Sequence, residues 1–265
     1  MSSQGHIAIA RRDRWTILVS LFTLALLAWL YLWIDAGKME MMSAHDNMAN
    51  RTMADTLPSA PWQLESLLLT FLMWAVMMVG MMLPSAAPAI LLYGRLANNR
   101  QTVSLLPATG LFSSGYLTVW TLFSLSATLL QATFESQRML SPLLSSSSTW
   151  LSATLLLIAG LYQWLPLKKA CLKKCQSPLN FFLMHWRPGA LGAFCMGMEH
   201  GLYCVGCCWV LMLLLFVAGV MNLLWVALIA GFVLAEKLLP SGHLIGNVAG
   251  IGLLLIGSGM LVTAI

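Results

Sequence analysis

The sequence predicts an all-α protein: one polytopic transmembrane helical bundle of about seven spans with a cytoplasmic N-terminus. Three observations carry this expectation. Of 265 residues, 59% are hydrophobic and only 9% are charged, against roughly 25% charged in an average soluble domain. Apolar runs long enough to cross a bilayer recur from end to end, and the ten-residue alternating stretches of a transmembrane barrel are absent. The basic residues, finally, cluster in alternate connections between those runs.

The first expected span, about residues 15–34, follows Arg11, Arg12 and Arg14 as the core of a signal peptide would. It is nevertheless of spanning length and has no small-residue cleavage site after Ile34, so it reads as a retained anchor. A polar segment, 35–61, is expected as an outer loop. The second span, 62–83, meets Pro84 and Pro88, which should kink or end the helix. The third is expected at 105–131, followed by an outer connector ending in SPLLSSSS, and the fourth is a short one at 149–165. The inner loop 166–188 is basic, carries prolines and aromatics, and reads as partly interfacial. The fifth span, 189–219, would be about 46 Å long as a helix, against a hydrocarbon core of roughly 30 Å. It must therefore tilt, protrude or break near Gly201–Gly206. Spans at 221–239, ending near Glu236–Lys237, and at 244–264 complete the single membrane domain.

Placing the N-terminus inside puts 11 of the 14 basic residues in the cytoplasm and leaves Lys38, Arg51 and Arg138 outside. The net charge of +5 is then a matter of topology and anionic lipid, not nucleic acid. Trp29, Tyr31, Trp33 and Trp62 fall near the proposed outer boundary, as interfacial aromatics should. The expected location is a bacterial inner membrane.

One stretch of the fifth span, CMGMEHGLYCVGCCWVLM, is chemically out of place in a bilayer. On a continuous helix Met196, His200, Cys204 and Cys208 recur every four residues, with Cys207 on the same stripe and Glu199 beside it. Cysteine and methionine alone are explained by packing, but a carboxylate and an imidazole are costly in a membrane and mark a functional site. Soft thiolate and thioether donors with imidazole select Cu(I) ahead of zinc.

Other soft donors lie along the chain. Met73, Met77 and Met81 stack at four-residue spacing in the second span, with Met78 and Met82 in the adjacent row, as a Cu(I) relay or as pliable core filling. Met39, Met41, Met42, His45, Met48 and Met53 in the outer segment suit capture of a soft ion, or belong to a linker whose methionines have no role. On the inner side Cys171 and Cys175 lie among Lys168, Lys169, Lys173 and Lys174, whose charge favours thiolates. They read either as an exchange point or as two surface thiols. Glycine-rich phosphate loops, the HExxH motif and the nucleophile elbow are all missing, so nothing here points to an enzyme of those classes.

The blocks MWAVMMVGMMLPSAAP, YQWLPLKKACLKKCQSP and GMEHGLYCVGCCWVLMLLLFVAGVMNLLW, with EKLLPSG after them, resemble a bacterial family of predicted metal-binding integral membrane proteins, sometimes labelled copper chaperones. The resemblance covers most of residues 62–260 and implies a metal role centred on His200, Cys204, Cys207 and Cys208. The joint expectation is an integral membrane protein that binds Cu(I) for delivery or transport to a periplasmic or membrane metalloprotein. Two alternatives stay open: a membrane thiol–disulfide oxidoreductase using Cys204, Cys207 or Cys208, and a non-catalytic assembly partner of a metalloenzyme.

Overall fold

The computed structural model describes residues 11–49, 63–99, 105–137 and 148–263. Among these residues the chain forms ten helices and no strand: α1 (Arg11–Ala49), α2 (Leu64–Asn99), α3 (Leu105–Ser136), α4 (Thr149–Tyr162), α5 (Pro166–Gln176), α6 (Pro178–Met184), α7 (Gly189–Leu213), α8 (Leu215–Ala218), α9 (Leu223–Leu238) and α10 (Gly242–Thr263).

Helix ends follow local chemistry. The Ser148 hydroxyl accepts the Leu151 N–H and caps α4, and the Asn222 side chain accepts the Trp225 N–H and caps α9. Proline stands at the start of both α5 and α6, where a missing N–H costs nothing. Pro166 also holds Leu165 extended, so α4 cannot run on into α5, and the two meet at a 64° bend. Gly219, at φ +99°, adopts the left-handed backbone that turns α8 back toward α9.

Among the described residues five helices are long and apolar enough to cross a membrane: Asp13–Lys38, Leu64–Asn98, Leu106–Ser136, Gly189–Ala218 and Gly242–Thr263, with the bent α4–α5 pair a sixth if taken as one span. They match the first, second, third, fifth and seventh expected spans. The fourth and sixth correspond to α4 and α9, whose 14 and 16 residues fall short of the roughly 20 that a straight span needs. Leucine-rich faces remain exposed on these helices, Leu26, Leu30, Leu68, Leu72, Leu125 and Leu255 among them, as helices in an apolar solvent require.

Three expectations are corrected. The outer segment does not leave the helix at residue 35, since α1 continues to Ala49. Met41, Met42 and His45 therefore fall on helical backbone, and their side chains lie outside the described residues, as do Arg51, Met53, Trp62, Arg100 and Arg138. Pro84 and Pro88 do not end α2, which runs on to Asn99. The break in the fifth span comes at Leu214, after the glycines, and α7 is continuous through Gly201–Gly206.

The core is the α3–α7 pair, with α2 on the far side of α3, α1 on α2, and α5 on α7. Helix α4 pairs with α10, and α9 joins the two groups by touching α2, α5, α7 and α10. Small residues set the closeness of α3 and α7: a Cβ at Gly197 would collide with the Phe112 carbonyl, and one at Gly115 with the Phe194 carbonyl. At one level the rings of Tyr93 (α2) and Phe112 (α3) stack at 4.7 Å, joined by Phe182 (α6) and Trp186.

Candidate metal centre

Helix α7 carries the sulfur stripe into the core. Met196, His200, Cys204, Cys207 and Cys208 are all buried, so the four-residue spacing read from the sequence does define an inward face. Close α3–α7 contact then brings the Tyr116 phenol onto that face. Its oxygen lies 3.0 Å from Cys204 Sγ and 3.2 Å from the Met82 carbonyl of α2. From α9, Lys237 donates to Cys204 Sγ at 2.9 Å and to Ser85 Oγ at 3.0 Å, and Ser85 in turn donates to the Met82 carbonyl. Three helices thus meet at one sulfur, and α2 holds both of its partners. A sulfur that can accept from both an ammonium and a phenol is well placed to carry negative charge.

Around Cys204 the other thiols gather from two helices. Cys207 and Cys208 donate to the Cys204 carbonyl at 3.1 and 3.0 Å. Across the α5–α7 contact the Cys175 thiol lies beside that of Cys207. Cys171 Sγ sits over Gly206, 2.8 Å from where a Cβ would stand, so only glycine admits it. The Tyr162 hydroxyl closes the same spot by donating to the Gly206 carbonyl. All of these cysteines are free thiols.

Cys171 and Cys175 are therefore not a detached inner site: five thiols share one α5–α7 seam. Nor do all the flanking lysines bathe them in charge. Lys168 is turned into an ion pair with Glu236 at 2.8 Å, both groups 2% exposed, and Lys174 lies over the Tyr203 ring.

His200 is 3% exposed and packed by the rings of Phe112, Tyr116 and Phe181 at about 6 Å. Its Nδ1 is buried with no hydrogen-bond partner. Such a nitrogen is costly to leave unpaired, and so it is a plain candidate for a ligand. The fully buried Met196 accepts the Arg187 N–H through its sulfur at 3.4 Å. Glu199 does not orient His200. One residue along the helix, it faces elsewhere and pairs with His185 Nε2 at 3.8 Å and Arg187 Nη2 at 4.0 Å.

On α2 the methionines Met73, Met77, Met78, Met81 and Met82 are all buried in the same core as the thiols. The contact of α2 with the sulfur site runs through the Met82 carbonyl and Ser85. Among the described residues no three His, Cys, Asp or Glu side chains are arranged to hold a metal ion. As they stand, Cys207 and Cys208 point their sulfurs at a carbonyl, with the Cys175 thiol beside Cys207.

Lys237, Tyr116 and Ser85 were not among the residues expected at the site, and Glu236–Lys237 was expected to mark a span end. That pair does close α9, which ends at Leu238, and yet Lys237 is only 8% exposed. The one signal in the sequence was an ion pair's worth of charge, Glu236–Lys237, closing an otherwise apolar run.

A family model described as a copper chaperone, PpoB2, matches residues 71–260, well over half of the chain. No curated protein matches it, and neither does any solved structure.

Proposed function

Since the chain belongs to the PpoB2 copper chaperone family, we propose that it is a bacterial inner-membrane protein that takes up Cu(I) on the α5–α7 thiol seam and passes it to a recipient metalloprotein. The observation that carries this reading is the meeting of the half-buried Cys171 and Cys175 with the buried Cys204, Cys207 and Cys208, all of them free. Thiolates are the soft ligands that Cu(I) prefers. Cu(I) is also content with two sulfur ligands, so the Cys175–Cys207 pair suffices for a first complex. Rotation of Cys208 away from the Cys204 carbonyl would supply a third sulfur, with His200 Nδ1 two turns back along α7. A loosely held cargo is what a carrier needs. The methionines of α2 are suited to relay, and Met41, Met42 and His45 to capture, on the strength of their donor chemistry.

Copper content of the purified full chain tests the proposal. Wild-type protein loaded anaerobically with Cu(I) should retain it through gel filtration, and the Cys204→Ser/Cys207→Ser/Cys208→Ser variant should lose most of it. Loss of copper from Cys175→Ser alone would locate the first complex. Equal retention by wild type and the triple variant would sink the reading.

The same Cys175–Cys207 proximity favours one alternative, thiol–disulfide exchange, because neighbouring thiols are also what a disulfide requires. Maleimide trapping separates the two: an oxidised pair hides two thiols in protein taken straight from cells, whereas a copper site exposes them once a chelator is added.

A further inference from the structure

At the junction of α4, α5, α9 and α10 lies a cavity of about 340 Å³ whose lining residues are mostly polar or charged. Its basic wall is Lys169 and Lys173 from α5. Both are exposed, and among the described residues neither forms an ion pair. The acid in the wall, Glu236, is already neutralised, with both carboxylate oxygens taking Lys168 Nζ at 2.8 and 2.9 Å. The cavity thus keeps a net surplus of two ammonium groups.

The floor is built for a ligand that both accepts and donates. Gln163 is 3% exposed; its Oε1 takes a hydrogen bond from Lys168, while its Nε2 is buried without a partner. The Asn247 Oδ1 of the same lining is also buried and unpartnered. Room for these groups comes from α10: a Cβ at Gly246 would collide with Glu236 Oε1, and one at Gly250 would stand 2.9 Å from Gln163 Cβ. Unpaired buried amides of this kind are expensive unless something completes them. Beside the cavity the outer face of α10 exposes Leu244, Val248, Ile251 and Leu255, a stripe along which an acyl chain can lie.

We infer that this cavity binds a phosphate anion that also carries a hydroxyl, presented by the headgroup of an anionic phospholipid such as phosphatidylglycerol. Phosphate oxygens would accept from Lys169, Lys173 and Gln163 Nε2, and the hydroxyl would donate to Asn247 Oδ1. Basic pockets between membrane helices recognise phospholipid headgroups by the same electrostatics. The inference is independent of copper binding.

Native mass spectrometry of the full chain, released from nanodiscs of phosphatidylcholine mixed equally with phosphatidylglycerol, tests it. Wild type should retain phosphatidylglycerol over phosphatidylcholine by about tenfold or more. Lys169→Ala/Lys173→Ala should abolish the preference, and Gln163→Glu, which keeps the acceptor for Lys168 but replaces the free donor with an anion, should weaken it. Lys174→Ala, on the same helix but over Tyr203, should not. Glycerol phosphate in the buffer, displacing the lipid with the same residue dependence, would keep the site and assign it to a soluble phosphate. Equal retention of the two lipids by wild type, or a preference that survives the double lysine variant, would overturn it.

Discussion

The Lys168–Glu236 pair is the most consequential electrostatic element at the residue scale, because neither group touches water and each depends on the other. Lys168 Nζ reaches both carboxylate oxygens and Gln163, while the Glu236 backbone carbonyl accepts Gln176 Nε2 at 2.7 Å. Removing one partner of a buried pair strands a charge and costs about 3–5 kcal/mol, whereas replacing both with apolar groups of similar size is often neutral. Glu236→Leu should therefore lower the unfolding free energy in detergent micelles by about that amount. Lys168→Met/Glu236→Leu should recover most of the loss. A single variant as stable as the parent would show that the pair does not hold α5 to α9. Lys237 behaves differently despite being the adjacent residue. Its partners are a thiol and a hydroxyl, so its charge is directed at the chemistry of Cys204 and not at a carboxylate.

At the scale of elements, the α3–α7 contact sets the site, because it delivers Tyr116 to Cys204 and the aromatic rings to His200. That closeness rests on Gly197, where any side chain would meet the Phe112 backbone and could be accommodated only by moving a helix. Gly197→Val should thus destabilise the protein by at least the 1–3 kcal/mol typical of overpacking. It should also quench whatever copper retention the wild type shows. Gly252→Ala, in open space on α10, should leave both unchanged. A Gly197→Val protein with wild-type stability would refute the packing argument. The inward face of α7 was legible in the sequence because its spacing is helical and its residue types are foreign to a membrane. The seam was not. Cys171 and Cys175 lie about thirty residues upstream of Cys204 and Cys207, and what joins them is the bend enforced by Pro166 together with the missing side chain at Gly206. Hydropathy could not foresee either. It also could not see that α1 runs on through a polar segment to Ala49, or that α2 passes two prolines.

For the whole molecule the question is how the helices thread the bilayer. Two of the eleven basic residues assigned to the cytoplasm, Lys168 and Lys237, are buried and spend their charge inside the protein. Setting them aside leaves nine against three, and the positive-inside bias still favours an inner N-terminus. Contacts bear on the alternation. The end of α2, the start of α3 and the α6–α7 junction meet through Tyr93, Phe112, Phe182 and Trp186, so these chain ends share one level. Glu236 near the end of α9 meets Lys168 near the start of α5, and His243 at the start of α10 lines the same cavity as Lys169. These meetings are the ones expected if the short α9, packed against α2, α5 and α7, carries the chain back between α7 and α10. With the N-terminus inside, seven crossings would bring the end of α10 out on the opposite face. A fluorescent protein that matures only in the cytoplasm should glow when fused ahead of residue 1 and stay dark when fused after residue 265. A periplasmic phosphatase reporter should give the inverse pattern. Fluorescence from both fusions would mean an even number of crossings, with the lysines of α5 on the face opposite to the one their charge predicts.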